Sequence, residues 1–134
     1  MKWEEIISVT GKPGLYVIKG QSKSGVLAES LIDKKKVFAP VYHISALNNI
    51  AVYTDDDEIY LPEIFKKIFE YEQKGNEIPG KKSSKQILTG FFKEIIPHYD
   101  ETRFYPSHMK KITGWYHLLK NADVIKELAE QKND

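Results

Sequence analysis

Cysteine is absent from the 134-residue chain, and so is any long apolar run. Without cysteine, disulfides, thiolate zinc sites and cysteine nucleophiles are excluded. No stretch approaches the ~18 apolar residues of a membrane span, so we expect no membrane partner. The segment Met1–Glu5 carries acids where a signal peptide has its basic region. A cytoplasmic location is therefore predicted.

An excess of charge of either sign is also missing. The 20 Lys and Arg residues and the 19 Asp and Glu residues give a net charge of +1, so no global field indicates a nucleic-acid or membrane partner. A chain of this length is one domain or two very small ones packed together, because a module of about 60 residues is marginal alone. The polar end, Gln131–Asp134, is predicted to be disordered.

The first half of the chain has the pattern of a small all-β module. Runs of β-branched residues separated by turn residues begin near residues 15, 26, 36, 50 and 58, and this spacing predicts a barrel of about five strands. Trp3, Ile6 and Ile7 stand at i, i+3 and i+4, which predicts a short helix before the barrel. His43–Leu47 is predicted as one helical or 3-10 turn. Pro40 lacks an N–H donor, which indicates an edge position or a bulge.

In the second half, apolar residues come in pairs spaced by four, which predicts helices. Pro62 suits the first turn of a helix, and residues 75–82 form a polar linker after it. Ser83, with Gln86 three residues later, has the pattern of a capping box. It begins a helix that ends before Pro97, and further helices follow.

The predicted fold class is α+β, with an N-terminal small five-stranded SH3-like or Sm-like β-barrel packed with a C-terminal helical subdomain. Residues 1–74 contain the short helix, the barrel and the following helix, and residues 83–134 form the helical subdomain. Such barrels host RNA binding, peptide binding and scaffolding, so the fold alone selects no function. No flexible stretch separates the last strand from the helix at Pro62, so we expect any functional surface where the two halves meet.

No catalytic or cofactor motif occurs in the sequence. Gly11–Gly14 lacks the spacing of a phosphate loop. The acidic run Asp55–Glu58 lacks the glycine and the spread of ligands of a calcium loop and is interpreted as a solvated hairpin tip. His108 and His117 are nine residues apart, on opposite faces of one helix. We therefore predict a protein that is not an enzyme, with no metal, no other cofactor and no evident small-molecule substrate.

Cations and aromatic residues alternate in one stretch of the second half. The candidate binding residues are Arg103, Tyr105, Lys110, Lys111, Trp115 and Tyr116. Aromatic rings interleaved with cations can stack bases and neutralise phosphates. Alternatively, Trp115 and Tyr116 belong to the core and the two lysines form the wet face of their helix, which the helical spacing favours.

The order of several local motifs resembles a family of uncharacterised bacterial proteins. The matching stretches are Ser8–Tyr16, Glu29–Lys35, His43–Leu47, Ile50–Thr54, Pro97–Asp100 and the segment from Lys110 to Leu119. The resemblance covers nearly the whole chain. It implies a bacterial domain of unknown function with a small β-barrel-like part and a helical part, and it carries over no catalytic or binding residue.

The sequence leaves two binding functions open, and a third hypothesis, an undetected enzyme, would require a concave pocket with convergent polar groups and shifted titrations. The first is a non-enzymatic interaction module that binds a protein partner or a second copy of itself, because aromatic residues are 12% of the chain and no catalytic set accompanies them. The alternative is single-stranded nucleic-acid binding through the barrel or the Arg103–Tyr116 region. The first predicts an exposed apolar patch, and the second predicts a contiguous basic stripe with exposed aromatic rings.

Overall fold

An antiparallel sheet of five strands forms the N-terminal part of the computed structural model, which describes residues 1–131. The strands are β1 (Ile6–Val9), β2 (Tyr16–Gln21), β3 (Gly25–Ser30), β4 (Lys36–Pro40) and β5 (Ile44–Ala46). Their order across the sheet is β4-β3-β2-β1-β5, so the first strand lies between the second and the fifth. Three of the four residues predicted to be disordered, 132–134, lie outside the described residues.

Two of the five predicted strands do not belong to this sheet. β6 (Ala51–Tyr53) and β7 (Glu58–Tyr60) pair with each other in a separate hairpin. Their places in the sheet are taken by β1 and β5, where the sequence predicts a helix and a helical turn, and those predictions are wrong. A 3-10 turn does come directly before each of these two strands, at Trp3–Glu5 before β1 and at Val41–His43 before β5.

The reason for the error at β1 is that this strand is buried on both faces. Ile6 packs in the main core with the helices, whereas Ile7 packs in a second core. A strand covered on both sides loses the apolar–polar alternation that would reveal it. The remaining spacing of Trp3, Ile6 and Ile7 then imitates a helix.

The sheet is not closed into a barrel. In the part of the chain that the structure describes, β4 and β5 are its two edges and no ladder joins them. Pro40 ends the edge strand β4, which confirms the edge position predicted for it.

Helices make up most of the chain after the β6–β7 hairpin. They are α1 (Leu61–Gln73), α2 (Lys85–Ile95), α3 (Pro106–Asn121) and α4 (Ile125–Ala129). Pro62 lies in the first turn of α1, as predicted. The N-cap of α2 is Ser84 rather than Ser83, and the Oγ of Ser84 accepts a hydrogen bond of 3.2 Å from the backbone N–H of Ile87. Among the described residues, no helix combines the length and the apolar character needed to cross a membrane.

Three aromatic rings join the two halves of the chain. Trp3 stacks on Phe65 of α1 with ring centroids 5.7 Å apart, and Phe65 lies 6.4 Å from Tyr116 of α3. All three side chains belong to one buried cluster. Aromatic stacking adds to the free energy gained by burying such large apolar surfaces. The sheet and the helices therefore share a core.

The hydroxyl of Tyr116 is satisfied at the edge of this core. It donates a hydrogen bond of 2.7 Å to Oε1 of Glu72, and Lys120 forms an ion pair with the same carboxylate. Burial alone would raise the pKa of Glu72, but hydrogen bonds from Lys120 and Tyr116 outweigh burial and hold that pKa below its ordinary value. Burial is also the main reason that the pKa of Tyr116 is raised.

Truncation of Tyr116 is expected to be strongly destabilising, because its ring is fully buried between α1 and α3. Tyr116→Ala should lower the free energy of unfolding by about 3–5 kcal/mol, as for other large core aromatic residues. The matched control is Tyr42→Ala, since Tyr42 is 89% exposed, and it should change stability by less than about 0.5 kcal/mol. Urea unfolding followed by circular dichroism measures both, and equal effects of the two variants would contradict the buried position of Tyr116.

Candidate functional site

A groove of about 920 Å³ opens between the sheet and α3. One wall is the end of β1 and the turn that follows it, residues 8–14, with Ile32 and Ser45 beside them. The other wall is α3, and the loop Gly80–Lys82 closes one side. The groove therefore lies where the two halves of the chain meet, and its size is within the range of small-molecule and ligand sites, about 300–1,000 Å³.

Helical spacing determines which side chains α3 presents to the groove. Lys111, Trp115 and Leu118 stand at i, i+4 and i+7, so they follow one face of the helix. Lys110, Gly114, His117 and Asn121 form the adjacent row and also line the groove. The opposite face of α3 carries the buried residues Met109, Ile112, Tyr116 and Leu119.

The wall from the sheet is a tight turn that requires glycine at two positions. Gly11 and Gly14 both have φ of +79°, a conformation that L side chains rarely adopt. A Cβ at Gly14 would also lie 2.6 Å from Cδ1 of Ile32 and 3.4 Å from Cδ2 of Leu118. The missing side chain lets the turn approach α3 closely, and this approach sets the width of the groove.

Two contacts hold the loop Gly80–Lys82 against α3. Nε2 of His117 lies 3.1 Å from the carbonyl oxygen of Pro79, within hydrogen-bond distance. The stem of Lys81 passes over Gly114, where an added Cβ would lie 3.8 Å from the lysine side chain. The loop is therefore anchored on the helix, and its two lysines line the same groove.

The groove carries charge of one sign. Among the residues that the structure describes, its lining includes Lys12, Lys81, Lys82, Lys110 and Lys111, and no aspartate or glutamate. Within residues 1–131, none of these lysines has a carboxylate oxygen within 4.0 Å. Like charges held on one concave surface raise the local concentration of anions. The groove is therefore suited to a ligand that carries several negative charges.

One aromatic ring is available in the groove. Trp115 is half-buried: part of its indole packs against the main core and part lines the groove. Nζ of Lys111 lies 5.9 Å from the centre of the ring, at cation–π distance. A flat ring beside cations can hold a second flat ring by stacking.

The structure brings together three of the six predicted binding residues. Lys110, Lys111 and Trp115 line the groove, whereas Tyr116 is buried in the core. Arg103 and Tyr105 precede α3 and do not line the groove. A binding role for these two residues stays a prediction.

Arg103 has an alternative role in the structure. Its Nε donates a hydrogen bond of 2.8 Å to Oδ2 of Asp100, and its guanidinium lies 4.0 Å from the centre of the Tyr53 ring. The backbone N–H of Asp100 also bonds the carbonyl oxygen of Tyr53 at 2.9 Å. The arginine thus joins the loop before α3 to the β6–β7 hairpin.

Sequence reasoning did not include Lys12, Lys81 and Lys82 in the candidate site. Lys81 and Lys82 have the pattern of solvated loop charges, and Lys12 lies in a turn that glycine and proline explain locally. Only the packing of α3 against the turn and the loop brings them together with Lys110 and Lys111. The one local signal of the groove was the helical spacing of α3, which places Lys110, Lys111 and Trp115 away from the centre of its buried stripe.

The carboxyl group of Asp100 provides a pH-dependent test of the loop before α3. Hydrogen bonds from the side chain of Thr102, then from Arg103, lower the pKa of Asp100 to about 2. A pKa below the unfolded value of 3.8 means that the ionised group stabilises the fold above pH ~4 and that this contribution is lost as the pH falls toward about 2. An NMR titration of the side chain should give a midpoint near 2, and Asp100→Asn should remove this part of the acid dependence of unfolding. A midpoint near 3.8 would contradict the hydrogen-bonded loop.

Two family profiles match consecutive parts of the chain. A domain of unknown function, DUF5606, matches residues 3–47. Another domain of unknown function, DUF6852, matches residues 50–119 and so covers more than half of the chain. No curated protein matches the chain.

A solved structure is also similar. It is a solution NMR structure of a protein from Bacteroides vulgatus, determined by a structural genomics consortium. It is 34% identical in sequence and superposes with a TM-score of 0.72, over 91% of this chain and 88% of that one. The chain therefore belongs to the family of the DUF6852 domain, an uncharacterised bacterial family, and its residues 3–47 are similar to the DUF5606 domain.

Proposed function

We propose that the protein is a non-enzymatic interaction module that binds single-stranded nucleic acid in the groove between the sheet and α3. The observation that carries the proposal is the lining of the groove, which among residues 1–131 has five lysines, the half-buried Trp115 and no carboxylate. Proteins that bind single strands combine a positively charged groove, which follows the backbone, with aromatic side chains that stack bases. Both elements occur in this groove.

The lysines account for affinity without sequence preference. Each phosphate neutralised by a lysine releases a condensed counterion, and this release drives binding at low salt. Lys12 comes from the sheet side, Lys81 and Lys82 from the loop, and Lys110 and Lys111 from α3. A strand lying along the groove would meet cations from three directions.

Trp115 accounts for a preference for unpaired bases. Its ring lines the groove beside Lys111, where a base that is not held in a duplex could stack on it. Stacking of one base on an aromatic ring contributes about 1–3 kcal/mol. A duplex keeps its bases inside the helix and offers no free ring to Trp115.

The fold suits this proposal if the sheet is an SH3-like half-barrel. Two features support that assignment: the strand order β4-β3-β2-β1-β5 and the 3-10 turn between β4 and β5. The second core adds a third, because its buried residues Ile7, Val9, Tyr16, Val26, Ala28 and Ala39 all lie on or beside sheet strands. A core made of sheet residues is typical of a sheet that curls over its own side chains, which supports the SH3-like assignment. A cytoplasmic location is part of the proposal, since the cysteine-free chain needs no oxidising compartment.

Binding is expected to depend on salt and on the groove lysines. Fluorescence anisotropy with a labelled single strand of about 12 nucleotides measures it, and log K should fall with log salt by about 0.7 per phosphate neutralised. The double variant Lys110→Ala/Lys111→Ala should weaken binding and make the slope less steep by about 1.4. Trp115→Phe should weaken binding at unchanged slope, because it alters stacking and not charge.

The matched control changes the same charge elsewhere. Lys67 and Lys126 are exposed on α1 and α4 and do not line the groove, so Lys67→Ala/Lys126→Ala should bind nearly as the wild type does. Arg103→Ala should also bind normally, because Arg103 pairs with Asp100 outside the groove. No binding at about 50 µM protein in low salt would reject the proposal. Equal losses in the groove and control variants would reject the groove as the site.

A protein partner or a second copy of the chain stays a prediction. The apolar patch that this prediction requires has a counterpart outside the groove, in the exposed side chains of Leu27 and Phe38. The division of the chain at residues 75–82 likewise stays a prediction.

A further inference from the structure

We propose that the free edge of β4 is a second binding site, which takes an extended peptide segment of another protein as an added antiparallel strand. The peptide has an apolar residue opposite Phe38 and an acidic residue two positions later. This site is separate from the lysine-lined groove and does not depend on what the groove binds. Addition of a strand to an open sheet edge is a general mode of peptide recognition.

The hydrogen bonds of β4 identify the groups that are free. The N–H of Ser30 bonds the carbonyl of Lys35, and the N–H of Val41 bonds the carbonyl of Ser24. In an antiparallel ladder, bonding residues alternate along the strand, so the odd-numbered residues 35–41 face β3. The backbone groups of Lys36 and Phe38, and the carbonyl of Pro40, then face outward from the sheet.

This edge is open in the described residues. β4 is the last strand in the sheet order, and β3 is the strand with which it pairs. Pro40 has no N–H to donate along this edge, but the N–H groups of Lys36 and Phe38 and the carbonyls of Lys36, Phe38 and Pro40 are left for a partner strand. A peptide strand can therefore form hydrogen bonds on both sides of Phe38.

The side chains beside the edge favour an apolar contact. Phe38 and Leu27 are cross-strand partners on one face, and they are 53% and 43% exposed. Gly25 makes room for the ring of Phe38, since a Cβ at this glycine would lie 2.8 Å from Cζ of Phe38. A peptide residue paired with Phe38 would have its side chain on this same face and would extend the apolar row.

The charge at the start of β4 argues for an acidic residue in the peptide. Lys34, Lys35 and Lys36 are exposed there, and Glu29, the cross-strand partner of Lys36, forms its ion pair with Lys19 at 3.6 Å. In an antiparallel strand, the residue two positions after the partner of Phe38 lies opposite Lys36. A carboxylate at that position would meet Lys36 on the same face.

The same features argue against a second copy of this chain as the occupant. A twofold pairing centred on Phe38 would place Lys36 opposite Pro40 of the other copy. Because Pro40 has no N–H, the carbonyl of Lys36 would be left without a hydrogen-bond donor. It would also bring six lysines to one joined edge. Lysine and proline at a sheet edge are features that discourage such self-pairing.

The test is an NMR titration of the full chain with a capped synthetic peptide that alternates threonine with valine or leucine and ends in two aspartates. Amide signals of residues 36–40 and of Leu27 should shift, and hydrogen exchange at the Phe38 amide should slow. A control peptide with lysines in place of the aspartates should bind about twofold to fivefold more weakly, as for loss of an exposed ion pair. The variant Lys36→Glu should reverse this preference between the two peptides.

Three results would overturn the proposal. The first is the absence of shifts at about 1 mM peptide. The second is a shift confined to the groove residues around Trp115, which would assign the acidic peptide to the lysines there. The third is a concentration-dependent shift of the Phe38 amide without peptide, which would make a second copy the occupant. The variant Phe38→Thr keeps a β-forming residue at the edge. If the peptide no longer shifts the amide signals of the other sheet residues in this variant, the result supports the site.

Discussion

The stack of Trp3, Phe65 and Tyr116 is the contact on which the rest of the structure depends. It crosses the boundary between the two family segments, since Trp3 belongs to the first and Phe65 and Tyr116 to the second. Tyr116 also fixes α3, because one face of that helix is in the core and the other is a wall of the groove. The groove therefore exists only where the sheet, α1 and α3 are packed together.

Local charge differs from the net charge of the chain. The total of +1 conceals a groove whose described lining has five lysines and no carboxylate, and a hairpin tip with four consecutive acids, Asp55–Glu58. Opposite charges placed on different surfaces cancel in the sum but not in the field near each surface. The edge of β4 is different again, with an apolar row beside three lysines. One small fold thus offers surfaces of different chemistry.

Sequence reasoning succeeded where a pattern is local. The apolar pairs that recur every four residues predict the helices, and the buried stripe of α3 follows from the same helical period. It failed at Ile6 and Ile7, because burial on both faces erased the strand pattern. It also wrongly assigned the strands that begin near residues 50 and 58 to the five-stranded sheet. Which strands pair with each other depends on residues far apart in the chain, and local patterns do not reveal it. The groove was found only in part, because Lys12 and Lys81 approach α3 through tertiary packing.

The most direct test of this account is equilibrium urea unfolding of the full chain, followed amide by amide with NMR. If one core holds both halves, amides in β2 and in α2 should lose their native signals with the same midpoint, as in a single cooperative transition. Separate midpoints for the sheet and the helices would contradict the account. They would mean that the two walls of the groove fold independently and that the aromatic stack does not join them.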